Sequence, residues 1–401
     1  MDHYDVVIVG GGMVGAASAC LLAQIGEKHN ASPLRIALVE SQSAQPFNPS
    51  RFDPRVAALT EKTRVILEQC GVWQQIKAKR VSPYRAMEVW DAEGTGRISF
   101  DCRDVHRPNL GHIVENSALV SSLMEQIEQL SGIELYCPAS VLAYEMEQDC
   151  AVISLDNDRT ISATLLIAAD GANSAIREHF QFTTKQWDYG QQAIVTTITT
   201  ERPNQQTAWQ RFMPTGPLAF LPLNDDGDLH RCSIVWSQDT QEAERLMALS
   251  DEDFCQQLSM ASELCLGKVL TIDKRYLIPL RQSHATDYAM PRVVLLGDAA
   301  HSIHPLAGQG ANLGFADAQV LAEEIANARL RDLDLGELSV LKRYQRRRKP
   351  DNLAAMATME GFKRLFASDN LALRLMRNMG MSGVDQIKPL KNQLIKKAMG
   401  L

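Results

Sequence analysis

The stretch VLLGDAAHSIHPLAGQGANLGFAD, Val294–Asp317, organises the reading of this 401-residue chain. The apolar run Val293–Leu296 reads as a short buried strand, ended by Gly297-Asp298. Glycines and small residues follow. From Asn312 the apolar spacing turns helical, through Leu313, Ala316, Val320, Leu321 and Ile325. A strand, an acidic turn, a glycine-rich loop and a helix N-terminus together suit a bound cofactor. The Asp298 carboxylate can accept hydrogen bonds from a polyol. Gly308 and Gly310 let backbone approach a flat ring, and the N–H groups near Ala311 and Asn312 sit at the positive end of a helix dipole.

The chain's start supplies the partner motif. Tyr4–Val9 is a buried strand by composition, Gly10–Gly15 reads G-x-G-x-x-G, and Ala16–Leu22 continues as a helix. Leu34–Val39 is a second strand, ending in Glu40, after a long insert at Glu27–Pro33. In such a βαβ unit Gly10 makes the tight turn and Gly12 admits a pyrophosphate. Gly15 permits close helix packing, and Glu40 binds a ribose hydroxyl pair. A third piece, Leu165–Gly171, repeats the strand-then-acid-Gly grammar at Asp170-Gly171; a plain turn with an N-cap is the alternative reading.

Composition bounds the function. The chain is 45% hydrophobic and 22% charged with a net charge of -7, which argues against nucleic-acid binding by bulk electrostatics. The eight cysteines form no C-x-x-C pair and no zinc-spaced cluster, so reduced thiols and no metal site are expected. There is no cationic leader pattern and no run of about 18 apolar residues, so a cytoplasmic protein without a membrane span is expected.

Between the motifs, Asp53–Leu59 is expected to open a helix running to about Cys70. Arg55 then stands near a helix start, either as a solvated charge or facing a pyrophosphate or flavin. Met87–Trp90 and Arg97–Phe100 read as a hairpin. His112–Asn116 leads into a helix over Ala118–Leu130, and Ile133–Tyr136, Val141–Glu145 and Ala151–Leu155 read as strands. Residues 191–279 form a different block of β-branched, alternating strands that look antiparallel, with Trp209, Phe212, Phe220 and Trp236 as core or as an apolar pocket wall. The C-terminal part is helical. Its run Lys342–Lys349 holds six basic residues and reads as a solvated helix face. In the tail, Ile387, Leu390, Leu394, Ile395 and Met399 recur at helical spacing between Lys388, Lys391, Lys396 and Lys397. That pattern suits a membrane surface, a partner site or simple packing of a terminal helix.

The three motifs in this order resemble the single-component flavoprotein aromatic hydroxylases of the para-hydroxybenzoate hydroxylase fold class, over essentially the whole chain. GVWQQI (Gly71–Ile76), MEVWD (Met87–Asp91), GHIVENS (Gly111–Ser117) and the Gly297–Phe315 segment are similar to the proteobacterial ubiquinone-biosynthesis hydroxylases. Within them they are most like those that hydroxylate the C5 ring position of a 2-polyprenylphenol.

The resemblance implies an α/β fold with α+β elements, in which a Rossmann-like FAD-binding domain (1–80, 105–185, 280–335) is interleaved with an antiparallel-sheet substrate domain (81–104, 186–279). A helical C-terminal region (336–401) follows. It implies FAD held by Gly10, Gly12, Gly15 and Glu40 at the ADP half, with a backbone contact from Val141 to adenine. Arg55, Asn116, Gly297 and Asp298 would lie along the phosphate and ribityl chain, and Pro305–Asn312, with Gly308, Gly310 and Ala311, against the ring. Asp170-Gly171 matches a motif for FAD and NADPH pyrophosphate. NADPH would visit transiently and O2 would add at flavin C4a. The resulting hydroperoxide would place one oxygen on a phenol ring.

A phenol titrates near ~10, so a proton acceptor helps. His301 and His304 are the nearest candidates, with His304 nearer the substrate face, and the Pro305 carbonyl matches an acceptor for the substrate hydroxyl. The implied partners are a polyprenylated phenol, a ubiquinone-synthesis protein complex and the inner face of a membrane, met through the basic C-terminal helices. Another ring position, a soluble aromatic substrate or a non-catalytic FAD-binding subunit are the competing readings.

Overall fold

In the computed structural model, residues 1–25, 32–303, 309–368 and 370–400 are described. The parallel sheet runs in the order Val293–Leu295, Thr160–Ala168, Asp2–Val9, Ile36–Val39, Ile133–Tyr136. The central strand pairs in parallel with both neighbours, Val6–Val9 against Leu165–Ala168 on one side and against Ile36–Val39 on the other. Val6, Val7 and Ile8 are fully buried, as a strand covered on both faces requires. All three motif-bearing strands are therefore adjacent, and their C-terminal ends meet along one edge. That edge is where ligands sit in doubly wound sheets. The hairpin Val141–Met146 with Ala151–Leu155 extends the sheet beside Thr160–Ala168 in antiparallel fashion.

A nine-stranded sheet forms the second layer, built on the antiparallel strands Thr184–Thr200, Arg231–Asp239, Gly216–Pro222 and Thr207–Met213. Tyr276–Ala285, Val269–Ile272 and His301–Ser302 extend it on one side and the hairpin Ala86–Asp91 with Arg97–Asp101 on the other, but Thr207–Phe212 joins Ala86–Asp91 in parallel, a departure from the antiparallel expectation. The hairpin enters from an earlier part of the chain rather than through a tight turn, so nothing forces its direction to alternate. Phe220 and Trp236 are core, packed with Phe254 and Leu258 of the helix Asp251–Ala261.

One expected helix is partly a strand. Val56–Leu59 pairs with Gly111–Glu115, and the helix begins only at Glu61, where Thr60 Oγ1 accepts the N–H of Thr63. Ala57, Ala58 and Leu59 favour helix locally, yet strand pairing satisfies their backbone first, and Thr60 is the true N-cap signal. GHIVE in turn is a strand, and the next helix spans Asn116–Ile127. The glycine-rich segment resumes as the helix Gln309–Arg329, followed by Leu338–Phe366, Leu371–Gln386 and Lys388–Ala398. No helix among the described residues is long and apolar enough to cross a membrane.

The basic run Lys342–Lys349 is only in part a solvated face: Arg346 and Arg347 are exposed, but other members are engaged. Arg348 is 3% exposed and bonds Asp317, Lys342 pairs with Asp287, and Arg347 pairs with Glu323 and Glu324. Lys349 donates to the Thr286 carbonyl. These side chains fasten the long helix to the parallel sheet and to the helix before it. The tail's apolar positions also divide: Ile395 and Met399 pack on Cys102, Val105 and Leu110, whereas Ile387, Leu390 and Leu394 face solvent.

Candidate active site

The first turn is shaped by what its glycines exclude. Gly10 sits at φ +104, and a Cβ there would overlap the Ala169 carbonyl; one on Gly15 would overlap the Gly10 carbonyl. Both glycines are thus demanded by packing of strand, turn and helix. Gly12 differs, because a Cβ there meets nothing within 4 Å. It is the N-cap of the helix Met13–Ala23, which has no side-chain cap bond and no acidic residue in its first turn. The helix therefore offers free N–H donors and its positive end to open space.

Glu40 closes the other side. Its Oε2 accepts the Gly11 N–H at 2.6 Å and its Oε1 the Gln42 N–H at 2.9 Å, which leaves further lone pairs for a diol. The Glu40 carbonyl receives the Ala139 N–H at 2.8 Å, and this brings the segment leading to Val141 to the tip of the second strand.

Arg55 lies just before a strand, not at a helix start. Its carbonyl accepts the Asn116 N–H at 3.1 Å, so these two expected site residues are neighbours. The loop carrying Arg55 is clamped by residues that sequence reasoning left unassigned. Arg80 bonds buried Glu115 at 2.8 Å, reaches the carbonyls of Asn48 and Arg51, and stacks 3.9 Å over Phe52. Glu115 in turn accepts the Asp53 N–H at 2.7 Å, and Asp53 accepts those of Arg55 and Ser117. Glu115 was visible in GHIVENS, but nothing local marks its partner 35 residues upstream. Burial raises the Glu115 carboxyl, while the Asp53 N–H and Arg80 oppose that rise.

The Gly297-Asp298 turn packs on the first helix: Gly297, at φ +55, abuts Val14, and a Cβ on Gly314 would overlap Val14 as well. Arg177 ties this turn to the Asp170-Gly171 turn by donating to the carbonyls of Ala299 at 2.9 Å and Ala172 at 2.6 Å. Asp298 is open to solvent although protein surrounds its base. That surrounding protein raises its carboxyl, and His301 and Arg55 pull it down. The side chain stays available because its surface is accessible.

His301 is spent on structure. It is 1% exposed, and its Nε2 lies 2.5 Å from Asp317 Oδ2. Asp317, fully buried, also accepts from Arg348 at 2.7 Å, Asn352 at 3.2 Å and the Gly297 N–H at 3.3 Å. Burial alone would raise the Asp317 carboxyl; His301 and Arg348 overcome it and hold the group below the usual carboxylate range. Asp317 was quoted in the opening stretch without a role, because its partner lies inside a run that resembled surface. The Asn312 side chain is likewise structural, accepting from Thr60 N at 2.9 Å and Thr63 Oγ1 at 2.7 Å and donating to Ala58 O at 2.8 Å. Gly310 and Ala311 lie beside it in the helix's first turn, where backbone donors lack intrahelical partners. His304, Pro305 and Gly308 lie outside the described residues.

Two orphaned atoms test whether FAD fits. Asn116 Oδ1 and Asp170 Oδ1 are buried without a hydrogen-bond partner among the described residues. Asn116 opens the helix Asn116–Ile127, and Asp170 lies just past the strand Thr160–Ala168, beside Gly171, where a Cβ, as at Gly12, would meet nothing within 4 Å. A cradle with free donors, a diol acceptor and unmet polar atoms suits a dinucleotide.

Residues 3–358 match the family model described as FAD binding domain. Over 398 residues the chain is 35% identical to the 3-demethoxyubiquinol 3-hydroxylase of Escherichia coli (strain K12), covering 99% of this chain and 98% of that one. It is 33% identical to the mitochondrial ubiquinone biosynthesis monooxygenase of Danio rerio, covering 98% and 89%. The chain belongs to this family of FAD-dependent monooxygenases. Its fold matches p-nitrophenol 4-monooxygenase from Pseudomonas putida DLL-E4 with a TM-score of 0.78 at 19% identity, covering 100% of this chain and 99% of that one. It also matches a probable FAD-dependent monooxygenase, pqsL, from Pseudomonas aeruginosa, with a TM-score of 0.77 at 22% identity and coverage of 95% and 100%. Both likenesses speak for the fold alone.

Proposed function

We propose that this monooxygenase hydroxylates the ring of a polyprenylated phenol in ubiquinone biosynthesis, using NADPH and O2. The observation that carries the reading is the open edge formed by Gly12, Glu40, Asn116 and Asp298, in a chain 35% identical to a ubiquinol hydroxylase along nearly its full length. Gly12 and the first turn of Met13–Ala23 take the pyrophosphate, Glu40 the ribose diol, and the backbone at Val141 the adenine. Arg55, Asn116 and Asp298 hold the ribityl side, with Asp170-Gly171 flanking the phosphates. Gly310, Ala311 and Asn312 would offer backbone to the ring; Gly308, implied with them, lies outside the described residues. The resemblance would add His304 and the Pro305 carbonyl at the substrate hydroxyl, residues that lie outside the described ones.

When bound, FAD supplies the redox chemistry: hydride equivalents from NADPH reduce O2, one oxygen atom entering the ring and the other leaving as water. The protein's own work is positioning and dryness. Helix N–H groups and Arg55 compensate the phosphates, and the Arg80–Glu115 clamp fixes the Arg55 loop. The Asp317 network fixes the turn that aims Asp298.

The C5 position of a 2-polyprenylphenol is our first assignment. A second position is favoured by the E. coli relative, whose name specifies 3-demethoxyubiquinol. FAD-loaded protein incubated with NADPH, O2 and either a short-chain 2-prenylphenol or a short-chain demethoxyubiquinol should yield a product heavier by one oxygen from one of them. NADPH consumption that gives only peroxide with both would refute the substrate class. FAD binding without NADPH oxidation would refute the catalytic reading.

A further inference from the structure

The nine-stranded sheet has one sealed face and one that is not. Side chains alternate along a strand, so Leu218 and Phe220 share a face with Ile234 and Trp236. All four are 0–4% exposed, packed with the helices Thr240–Met247 and Asp251–Ala261. On the other face Ala219, Leu221 and Val235 are only partly buried. Their strands, Gly216–Pro222 and Arg231–Asp239, are paired on both sides, so this is not the exposure of a sheet edge. A face turned to water carries polar side chains, whereas these are Ala, Leu and Val. They line a trough.

Both ends of the trough are built. At one, Leu221 packs with Val56 and Ala58, and the Ala58 carbonyl accepts from Asn312, so this end adjoins the place assigned above to the ring. At the other, Phe212 lies opposite Pro217 in register, and its ring stacks on Phe366 with centroids 4.0 Å apart. A void of about 20 Å³ remains there, bordered by Phe212, Pro217 and Phe366. Four residues of extended strand, about 13 Å, separate Leu221 from Pro217. The side chains of this stretch, Pro217, Ala219, Val195, Ser233 and Val235, carry no charge.

Phe366 is held from the following helix. Arg377, 4% exposed, donates to the carbonyls of Phe366 at 3.1 Å and Leu365 at 2.9 Å. It also bonds Asp91 at 2.6 and 3.0 Å and Glu93 at 3.1 Å, so every guanidinium nitrogen is engaged. Arg377 and Met381 are the buried residues of Leu371–Gln386, and the guanidinium therefore does much of the fixing.

We infer that this trough takes the hydrocarbon substituent of the phenol, that Phe366 with Phe212 closes its far end and sets the tail length accommodated, and that Arg377 is the positioning residue for that wall. The inference rests on the reading of the substrate as a phenol with an apolar tail and adds which residues measure the tail.

The full-length FAD-loaded protein is titrated, without NADPH, with phenol and with 2-prenylphenols of one to four prenyl units, and binding is read from the flavin absorbance. Each buried methylene is worth up to about fourfold in affinity, so a prenyl unit inside the trough should tighten binding at least about tenfold, and one beyond the end wall less than about threefold. Phe366→Ala should carry that break to a longer tail, and Phe366→Leu should move it less. Ala219→Phe fills the trough midway and should bring the break to a shorter tail. Arg377→Lys keeps the charge but cannot reach all four partners, and should move the break as Phe366→Ala does; lower thermal stability with the break unmoved would overturn the positioning role. A break that shifts as described in a protein that does not hydroxylate these ligands would support the trough and refute only the reaction. A break at one length in wild type, Phe366→Ala and Ala219→Phe would overturn the inference alone. Prenylphenols that bind no better than phenol would overturn the trough together with the substrate reading.

Discussion

Replacing Arg348 with Met should cost about 3–5 kcal/mol of stability at pH 7, because it strands the buried Asp317 carboxylate. Arg348 is 3% exposed and Asp317 fully buried, with Nε 2.7 Å from Oδ1, so solvent cannot take over the lost pairing. His301 and Asn352 remain as partners, which places the expected value toward the lower end of that range. The double variant Asp317→Asn with Arg348→Met removes both charges and should be less damaging than the sum of the singles by about 1–3 kcal/mol. The pH dependence follows from the depressed Asp317 carboxyl. Its stabilisation is present above the unfolded value near 3.9 and is lost as pH falls through the lower folded value. The gap between wild type and Arg348→Met should therefore be widest at neutral pH and shrink below about pH 4. Urea denaturation of the FAD-free proteins measures the stabilities, and FAD titration reads the consequence for the Gly297-Asp298 turn. A single-variant loss under about 1 kcal/mol, or strict additivity in the double, would refute the reasoning.

Gly12→Ala and Gly15→Ala should separate ligand space from packing: the first leaves FAD-free stability within about 1 kcal/mol but weakens FAD at least about tenfold, as titration would show. The second puts a methyl into the Gly10 carbonyl and should destabilise the FAD-free protein by about 1–3 kcal/mol, read from its urea midpoint. Asn116→Ala removes an unpartnered buried oxygen, so the FAD-free protein should lose almost no stability while FAD affinity falls about threefold to tenfold. Burial pushes His112 and His284 down to about 4, in each case as the largest cause. Unfolded histidine takes up protons near 6.5, so stability should fall as pH drops from about 6.5 to about 4, by up to about 3 kcal/mol per residue. Melting curves across that range should flatten in His112→Gln with His284→Gln.

Local pattern was enough for the edge at which the three motif turns meet. Three strand-to-turn passages ending in Gly10, Asp170 and Gly297-Asp298 were legible because buried strands read as continuous apolar runs and glycine turns have few substitutes. Glu40 was suggested by its place at the tip of the second strand, whereas the roles of Arg55 and Asn116 came from the family resemblance alone, position leaving Arg55 open between a solvated charge and a cofactor contact. The supports of that edge were not legible. Arg80 with Glu115, Arg177 with Ala299, and Arg348 with Asp317 join residues 35, 122 and 31 positions apart. A basic residue within a basic run looks the same in sequence whether it is solvated or buried against a carboxylate.

The strand at Val56–Leu59 was missed for a related reason, since Ala-Ala-Leu favours helix until the Gly111–Glu115 strand lies beside it. The sequence by itself determined the order of motifs, the parallel sheet they build and the open glycine at position 12. Tertiary structure alone decided which charges are buried, which side chains hold the Arg55 loop and the Asp298 turn, and which tail residues remain exposed. Motif chemistry is encoded over a few neighbouring residues, whereas burial and ion pairing depend on segments that meet only once the chain has folded.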